Sequence, residues 1–345
     1  MKDLSAVIVN YGNDAHCFRL LSQLGNLESI YLVDNSNTIN PQDPQLANAR
    51  LLQAGSNIGY GAAVNLAAEL IETRWLLVLN PDVLLLTDTI DQLMHSAATH
   101  PAPVIGPRFY WDADCNFQLP PAQGHIPWLF SDPVRKRFFN FEYADLSGFA
   151  LERHNRFWGQ TSPFSEPVLS GACMLIDLEW FRKHQEPVFD PSYFLYYEDT
   201  DLCARLLEYD TAPLCAPAAS IVHFWNQSPE PPESKQALMQ SSERMFIRKH
   251  NVPVKKPLPS PCLEPRLFQS SGQLFEPPVL QVDENARYCD LGIEENLVQF
   301  ARTRPDNGQF VISHALWQQQ QPGAYYMRVS DAQHRPLQYF YWEKR

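Results

Sequence analysis

Residues 4–34 read LSAVIVNYGNDAHCFRLLSQLGNLESIYLVD, and this stretch decides the fold class. Two apolar runs, at 6–10 and 29–34, flank a segment at 14–24 in which apolar residues recur with a helical period. A strand, a helix and a second strand in this order predict a βαβ unit with two parallel strands.

The same alternation continues over the first 100 residues. We predict further strands at 50–53 and 75–79, and helices at 61–73 and 87–98. The run WLLVL at 75–79 is apolar throughout, which is typical of a strand that is buried on both faces of a sheet. The pattern therefore predicts an α/β domain with an open, mostly parallel sheet flanked by helices.

The middle of the chain is less regular. Residues 110–165 are aromatic, interrupted by proline and weakly periodic, so we predict irregular structure there. Beyond them the pattern predicts strands at 168–177 and 220–224, with a helix at 201–209 between the two.

The composition changes after residue 251. Seven prolines fall between Pro253 and Pro278, a density that excludes regular helix and predicts a linker or a docked extended segment. Short β-type runs separated by turn residues follow, at 297–301, 310–314, 325–329 and 337–342. We therefore predict a first domain at 1–252, a Pro-rich linker or docking segment at 253–278, and a small C-terminal all-β module at 279–345.

Composition and charge exclude several classes of protein. The 345 residues are 45% apolar and 19% charged, which supports a large core and excludes wholesale disorder. The formal net charge of −12 argues against nucleic acid as a partner, because such binding depends on neutralising phosphates. The sequence has no run near the roughly 20 apolar residues of a membrane span and no leader-type segment, so we expect a cytoplasmic protein. Seven scattered cysteines without a Cys-x-x-Cys pair predict neither a disulfide framework nor a zinc site.

Polar residues follow four of the predicted strands directly. They are Asn10 with Tyr11, Asp34, Asn80 with Asp82, and His223. Ligands of open α/β sheets bind beyond the carboxyl ends of the strands, so these side chains are expected at one edge. Each residue alone is better explained as a turn former. The four positions together favour a binding site.

An acidic cluster at 198–201 comes next to a run of aromatic residues. Asp201 fits the acidic first turn of a helix and an ordinary pair with Arg205, four residues on. That explanation suits Glu198 and Asp199 less well, because they directly follow the sequence YFLYY at 193–197. A carboxylate beside such a run of aromatic residues is partly desolvated, which raises its proton affinity as a general base requires.

Seven segments in register resemble the family 2 glycosyltransferases with the GT-A fold, in particular the branch that includes rhamnosyltransferases. The segments are VIVNY at 7–11, VDNS at 33–36, NIGYGAAVN at 57–65, LNPD at 79–82, SGACM at 170–174, FLYYEDTDLCAR at 194–205, and His223 followed by Ser228. The resemblance covers roughly residues 4–250. Each motif is weak alone, whereas their common order and spacing are specific.

The resemblance implies a nucleotide-diphosphate sugar as donor, carrying uridine or thymidine (a UDP- or dTDP-sugar), and a divalent cation, Mg²⁺ or Mn²⁺. The metal side would be Asp82, the one carboxylate of the Asn80-Pro81-Asp82 motif, together with His223. The remaining donor-site residues that it implies are Asn10, Tyr11, Asp34, Asn57, Gly59, Asn80 and Gly171. Among them, Asp34 resembles the carboxylate that accepts a hydrogen bond from a pyrimidine base.

The resemblance also implies the chemistry. Asp199, with Glu198 beside it, resembles the single catalytic base that deprotonates the acceptor hydroxyl, and one displacement with one base inverts the anomeric configuration. The sugar would be rhamnose or another deoxysugar or hexose. The acceptor would be a saccharide or a lipid-linked saccharide in surface polysaccharide synthesis.

Several alternatives stay open at this stage. The basic segment at 135–137 fits a contact with the anionic inner face of a membrane. It also fits an ordinary solvated helix end. A homodimer is compatible with the sequence. The glycines at 59 and 61 partly match a dinucleotide-binding loop, so a dinucleotide-binding oxidoreductase is one alternative function. A catalytically silent carbohydrate-binding protein is the other.

Overall fold

The computed structural model describes residues 3–25, 27–224, 232–252 and 267–345. The chain divides into two compact units. The first comprises Met1–Arg108, Pro121–Asn140 and Gln160–Lys256, and the second comprises Phe109–Pro120, Phe141–Gly159 and Pro257–Arg345.

The strands in the described residues are β1 (Leu4–Asn10), β2 (Ser29–Asp34), β3 (Arg50–Gln53), β4 (Trp75–Leu79), β5 (Val83–Leu85), β6 (Val104–Tyr110), β7 (Phe164–Ser165), β8 (Cys173–Asp177), β9 (Leu214–His223), β10 (Phe268–Leu274), β11 (Val279–Gln281), β12 (Tyr288–Gly292), β13 (Ala301–Thr303), β14 (Gln309–Val311), β15 (Gly323–Ser330) and β16 (Pro336–Lys344).

The helices in the same residues are α1 (Asp14–Leu21), α2 (Tyr60–Ala68), α3 (Thr89–Thr99), α4 (Ile126–Leu129), α5 (Asp132–Phe138), α6 (Leu146–Gly159), α7 (Leu178–His184), α8 (Glu198–Glu208), α9 (Pro232–Lys249) and α10 (His314–Gln319).

The central sheet has the strand order β3-β2-β1-β4-β8-β6-β9-β5, with β7 beside β9. Strands β1 to β4 pair in parallel, and the register sets Asn10 opposite Asp34. The direction changes at β8, which runs antiparallel to β4 with Cys173 opposite Leu79. The carboxyl ends of β1, β2 and β4 and the start of β8 therefore meet at one edge. This α/β architecture, with helices around the sheet, confirms the predicted fold class.

The prediction of irregular structure at 110–165 is wrong, because α4, α5 and α6 lie there. Two of these helices are short and begin at a proline-containing first turn. The third has 14 residues, but it buries Arg153 and His154 beside its aromatic residues. A buried face of this mixed composition does not produce the apolar period on which sequence prediction relies.

The second unit contains a five-stranded sheet with the order β10-β16-β15-β12-β13, and the strand pair β11-β14. Its core includes the strand residues Phe310, Met327 and Trp342. Next to the core, Asp290 is fully buried between the guanidinium groups of Arg302 and Arg328, at 2.6 and 2.8 Å. Burial raises the pKa of this carboxyl, but the two arginines outweigh it and lower the pKa to about 2. The predicted C-terminal β module is confirmed, with α10 as a short helix within the same segment.

The predicted linker at 253–278 contains a strand. Residues 253–266 lie outside the described residues, and β10 pairs in parallel with β16 at the edge of the sheet. The physical reason is visible in the sequence, since the prolines stop at Pro265 and resume at Pro277, which leaves the stretch between them free to form a strand. In addition, residues 109–120 and 141–159, placed in the first domain by the prediction, pack within the second unit.

Two further observations concern the helices and the cysteines. Within the described ranges, no helix combines the length and the apolar composition of a membrane span. The cysteines in those ranges carry free thiols: Cys17, Cys115, Cys173, Cys203, Cys215 and Cys289. Cys262 lies outside the described residues.

Candidate active site

The ends of β1 and β2 carry a buried polar network. Asn10 and Asp34 are both fully buried, and the Asn10 amide donates to Asp34 Oδ1 at 3.1 Å and to Asp14 at 2.7 Å. The hydroxyl of Ser36 donates to Asp34 Oδ1 at 2.7 Å, and the backbone N–H of Ile39 donates to Oδ2 at 2.8 Å. Burial raises the pKa of Asp34, but these hydrogen bonds outweigh it, and the net pKa is lowered. The carboxylate is therefore ionised and orders the loop after β2, while Tyr11 is 37% exposed beside it.

The loop before α2 joins this network to the aromatic turn, residues 194–197. The Asn35 amide donates to Gly59 O at 3.1 Å, and Asn57 Oδ1 accepts from Gly59 N at 3.0 Å. Gly59 has φ 88°, and a Cβ there would lie 2.5 Å from the carbonyl oxygen of Phe194. Only glycine fits this position, because the backbone is left-handed and the neighbouring chain is in contact with it. Tyr60 N then donates to the same Phe194 oxygen at 2.9 Å.

Asp199 lies at the start of α8 with its carboxylate oriented by backbone donors. Its Oδ2 accepts from Gly171 N at 3.0 Å, and its Oδ1 accepts from Thr200 N at 2.6 Å. A Cβ on Gly171 would lie 3.3 Å from the Cβ of Asp199, so these two segments of the backbone approach closely here. Burial raises the pKa of Asp199, and the hydrogen bonds offset only part of that rise. The group is a stronger base than an exposed aspartate, as proton transfer requires.

Glu198 has a different environment from its neighbour. It is buried, and its Oε2 has no hydrogen-bond partner among the described residues. Burial, followed by the adjacent charge of Asp199, raises the pKa of Glu198. Because a buried carboxylate without a donor is costly, this environment favours the protonated form of Glu198.

Asp82 and His223 are brought together by the pairing of β5 with β9. Val83 lies opposite His223 in the antiparallel register, and Phe224 N donates to Asp82 O at 3.1 Å. The His223 Nε2 and Asp82 Oδ1 atoms are 3.4 Å apart, with side chains 12% and 10% exposed. Burial raises the pKa of Asp82, but the charge and hydrogen bond of His223 outweigh it, so that the pKa is lowered.

The donor set fits a divalent cation that is shared with a substrate. No group of three or more His, Cys, Asp or Glu side chains converges on a metal position within the described ranges. A carboxylate and an imidazole are two suitable ligands, and Mg²⁺-type sites commonly complete their coordination with water and substrate phosphates. Ser228, which follows His223 in the motif, lies outside the described residues.

Direct contacts connect the residues that the sequence predicted separately. The network from Asn10 through Asp34 and the loop at 35–36 reaches Gly59. The hydroxyl of Tyr60 donates to Gly171 O at 2.9 Å, and Gly171 N donates to Asp199. Asn80 N donates to Ala172 O at 2.9 Å, which places the metal-side motif next to Gly171. All of these contacts lie within the first unit.

Three residues near this site were missed by sequence reasoning. Tyr60 stands inside a matching motif, but nothing in the pattern marked its hydroxyl as the contact to Gly171. His16 and Arg19 lie one turn apart on α1, and both interact electrostatically with Asp82. Arg19 also donates to Val83 O at 3.4 Å and lies over the ring of Phe224 at 4.9 Å. Their spacing of three residues on a helix was the available signal.

Comparison with known proteins gives the class. The model of glycosyl transferase family 2 matches residues 15–184. An N-acetylglucosaminyl-diphospho-decaprenol L-rhamnosyltransferase from Mycobacterium tuberculosis is 31% identical over 245 residues, which cover 64% of this chain and 75% of that protein. A low-salt glycan biosynthesis hexosyltransferase from Haloferax volcanii is 25% identical over 214 residues, covering 59% of this chain and 62% of that protein. A solved mannosyltransferase from Pyrobaculum calidifontis superposes with a TM-score of 0.47 at 11% identity, over 74% of this chain and 66% of that one.

The chain belongs to glycosyltransferase family 2 and is similar to the rhamnosyltransferases of that family. The predicted family is thereby confirmed, and the protein is a glycosyltransferase. Membership in this family excludes the alternative function of a dinucleotide-binding oxidoreductase. The loop that suggested it follows β3, whereas a dinucleotide-binding loop follows the first strand.

Proposed function

We propose that the protein is an inverting, metal-dependent glycosyltransferase that uses a nucleotide-diphosphate sugar, with Asp199 as general base. The observation that carries the proposal is the environment of Asp199. Its carboxylate is oriented by Gly171 N and Thr200 N, and its pKa is raised by burial. A structural carboxylate in an ion pair has its pKa lowered instead. Burial raises the pKa of Asp201, but His250, Lys249 and Arg205 outweigh it.

In the proposed reaction, Asp199 takes the proton of an acceptor hydroxyl as that oxygen attacks the anomeric carbon of the donor sugar. The bond between the anomeric carbon and the diphosphate oxygen breaks, and the diphosphate leaves with the electron pair. A single displacement from the face opposite the leaving group inverts the configuration. Glu198, held neutral by burial, adds no second negative charge beside Asp199.

Asp82 and His223 are the residues proposed to hold the divalent cation, Mg²⁺ or Mn²⁺. When bound, the cation would neutralise charge that develops on the leaving diphosphate. The net charge of −12 supports such a requirement, because an acidic protein binds an anionic donor poorly without a cation.

The donor is proposed to be a UDP- or dTDP-sugar whose nucleotide lies along Asn10, Tyr11, Asn57, Gly59 and Asn80. Asp34 stays a predicted reader of the pyrimidine base. In its favour, Oδ2 accepts only from Ile39 N within the described residues, whereas Oδ1 accepts from Asn10 and Ser36. Within the structure, the Asp34 carboxylate holds the loop at 35–39 in place through its hydrogen bonds with Ser36 and Ile39.

The sugar and the acceptor are proposed from the relatives. The mycobacterial relative is named for rhamnosyl transfer to N-acetylglucosaminyl-diphospho-decaprenol, and the archaeal one for hexosyl transfer. We propose a deoxysugar or hexose donor and a saccharide or lipid-linked saccharide acceptor in polysaccharide synthesis, at the cytoplasmic face of a membrane.

The membrane contact and the homodimer stay predictions. At the basic segment, Lys136 pairs with Asp132 at 3.7 Å and Arg137 pairs with Asp210 at 3.2 Å. These pairs suit the ordinary end of an exposed helix.

A panel of nucleotide sugars tests the donor class by thermal unfolding. We expect UDP- or dTDP-sugars with Mn²⁺ or Mg²⁺ to raise the unfolding temperature, and chelation of the metal to reduce the effect. A ligand present at about 100 times its dissociation constant adds about 2.7 kcal/mol of stability. Metal alone and nucleotide-free sugar are the controls. Stronger stabilisation by GDP-sugars than by both pyrimidine types would show that the donor assignment is wrong.

A further inference from the structure

We propose that α9 positions the catalytic base, through Ser242, Glu243 and Phe246, which hold the aromatic turn in a strained conformation. This inference rests on the proposed role of Asp199. It adds three positioning residues that are 43 or more positions away in sequence and do not touch the reacting groups themselves.

The aromatic turn contains two consecutive left-handed residues that are not glycine. Tyr196 has φ 67° and Tyr197 has φ 68°. Each such residue is strained and persists only where surrounding contacts enforce it. Tyr197 is also the N-cap residue of α8, and its carbonyl oxygen accepts from Asp201 N at 2.8 Å. Glu198 and Asp199 follow directly, so relaxation of this turn would displace the base.

The loop before α2 holds one side of the turn. Tyr60 N donates to Phe194 O, and the absence of a side chain at Gly59 allows the approach. These contacts fix the first residue of the turn. They act on Phe194, two residues before the first left-handed residue.

Helix α9 contacts the residues on either side of Tyr196, namely Leu195 and Tyr197. The Ser242 hydroxyl donates to Leu195 O at 2.8 Å, and Ser242 is buried although serine is ordinarily an exposed residue. The ring of Tyr197 packs against Phe246, with centroids 5.6 Å apart. Glu243 interacts electrostatically with the Tyr197 hydroxyl, and burial, followed by this carboxylate, raises the pKa of Tyr197.

His125 also contacts Glu243. His125 Nε2 lies 3.5 Å from Glu243 Oε1, and His125 is buried at the start of α4, where its Nδ1 accepts from Trp128 N. The far end of α9 also binds α8, because Lys249 and His250 each lie 2.8 Å from Asp201 Oδ1. The helix therefore holds the aromatic turn at its middle and the first turn of α8 at its end.

Single substitutions distinguish a role in positioning Asp199 from a role in binding the donor. Ser242→Ala and Glu243→Ala are expected to lower kcat by about tenfold or more, because misplacement of a catalytic group by about 1 Å can cost a hundredfold. The dissociation constant of the donor, measured by calorimetry, should change little. Ser242→Thr and Glu243→Gln keep a hydroxyl donor and a carbonyl acceptor, so they should restore most of the rate. Ser241→Ala and Glu233→Ala are matched controls at exposed positions of the same helix.

A double-mutant cycle then tests the specific contact. Tyr197→Phe keeps the ring against Phe246 and removes only the hydroxyl, so it should lower kcat as Glu243→Ala does. The double variant should be no slower than either single variant, since both substitutions remove the same interaction.

Additive losses, or wild-type kcat in Ser242→Ala and Tyr197→Phe, would overturn the proposal. If those variants were as fast as wild type while Asp199→Asn was inactive, the positioning inference alone would fall. If Asp199→Asn kept full activity, the proposed base would fall instead.

Discussion

Replacement of Asp199 by asparagine is expected to lower the rate of glycosyl transfer by between about 10² and 10⁴, the usual contribution of a general base. The amide keeps the size of the side chain and one oxygen that can accept from Gly171 N. It cannot take a proton from the acceptor hydroxyl. Donor affinity should therefore remain near that of wild type while kcat falls.

Glu208→Gln is the matched control for this variant, because Glu208 is an exposed carboxylate at the other end of α8. It removes one negative charge from the same helix without touching the site, and its kcat should equal that of wild type. Initial rates at saturating donor and acceptor give kcat, and calorimetry gives the donor affinity. Near-wild-type turnover in Asp199→Asn would remove this residue from the mechanism.

Asp82→Asn is expected to weaken metal-dependent donor binding by at least about tenfold, in the range seen when a supporting group of a metal site is lost. The substitution removes the only carboxylate of the motif at 80–82 while the side chain keeps its shape. Donor binding measured without metal should change much less, because the nucleotide contacts are elsewhere. The readout is the ratio of donor affinities with and without Mn²⁺.

Two further variants make this test specific. His223→Ala should show the same loss of metal response, since His223 Nε2 lies 3.4 Å from the Asp82 carboxylate. Asp88→Asn removes an exposed carboxylate six residues along the chain and should leave the metal response unchanged. If Asp82→Asn responded to metal as wild type does, the assignment of the metal side would be incorrect.

The four parallel strands β1 to β4 were predictable because each is a short, largely apolar run that ends at or just before a polar residue. The predicted bounds of β2, β3 and β4 are those of the structure. Buried parallel strands carry their signal in the sequence itself, since both faces must be apolar. The convergence of Asn10, Asp34 and Asn80 at one edge followed from the same pattern.

Features that depend on distant contacts were not predictable. The helix α8 begins at Glu198, three residues before the predicted start, because the left-handed turn at Tyr196 and Tyr197 delivers the chain into it. Nothing local in that aromatic sequence specifies such a turn. Its partners on α9 are 45 or more residues away, and their spacing carries no signal.

Gly171 illustrates the same limit for the candidate site. The family resemblance placed it among the donor-binding residues, and the structure also shows it donating to Asp199, 28 residues away. Its carbonyl accepts from Tyr60, 111 residues away. The motif therefore identified the residue, whereas the contacts that explain why a side chain is disfavoured there come from tertiary packing.

The stereochemistry of transfer tests the central claim most directly. The purified protein would be given a pyrimidine-nucleotide sugar of known anomeric configuration, Mn²⁺ and an acceptor saccharide, and the new glycosidic bond would be followed by proton NMR from the first turnovers. A single displacement with Asp199 as base predicts a product whose anomeric configuration is opposite to that of the donor. A product with the donor's configuration would contradict the account, because retention requires either a second displacement or attack from the leaving-group face.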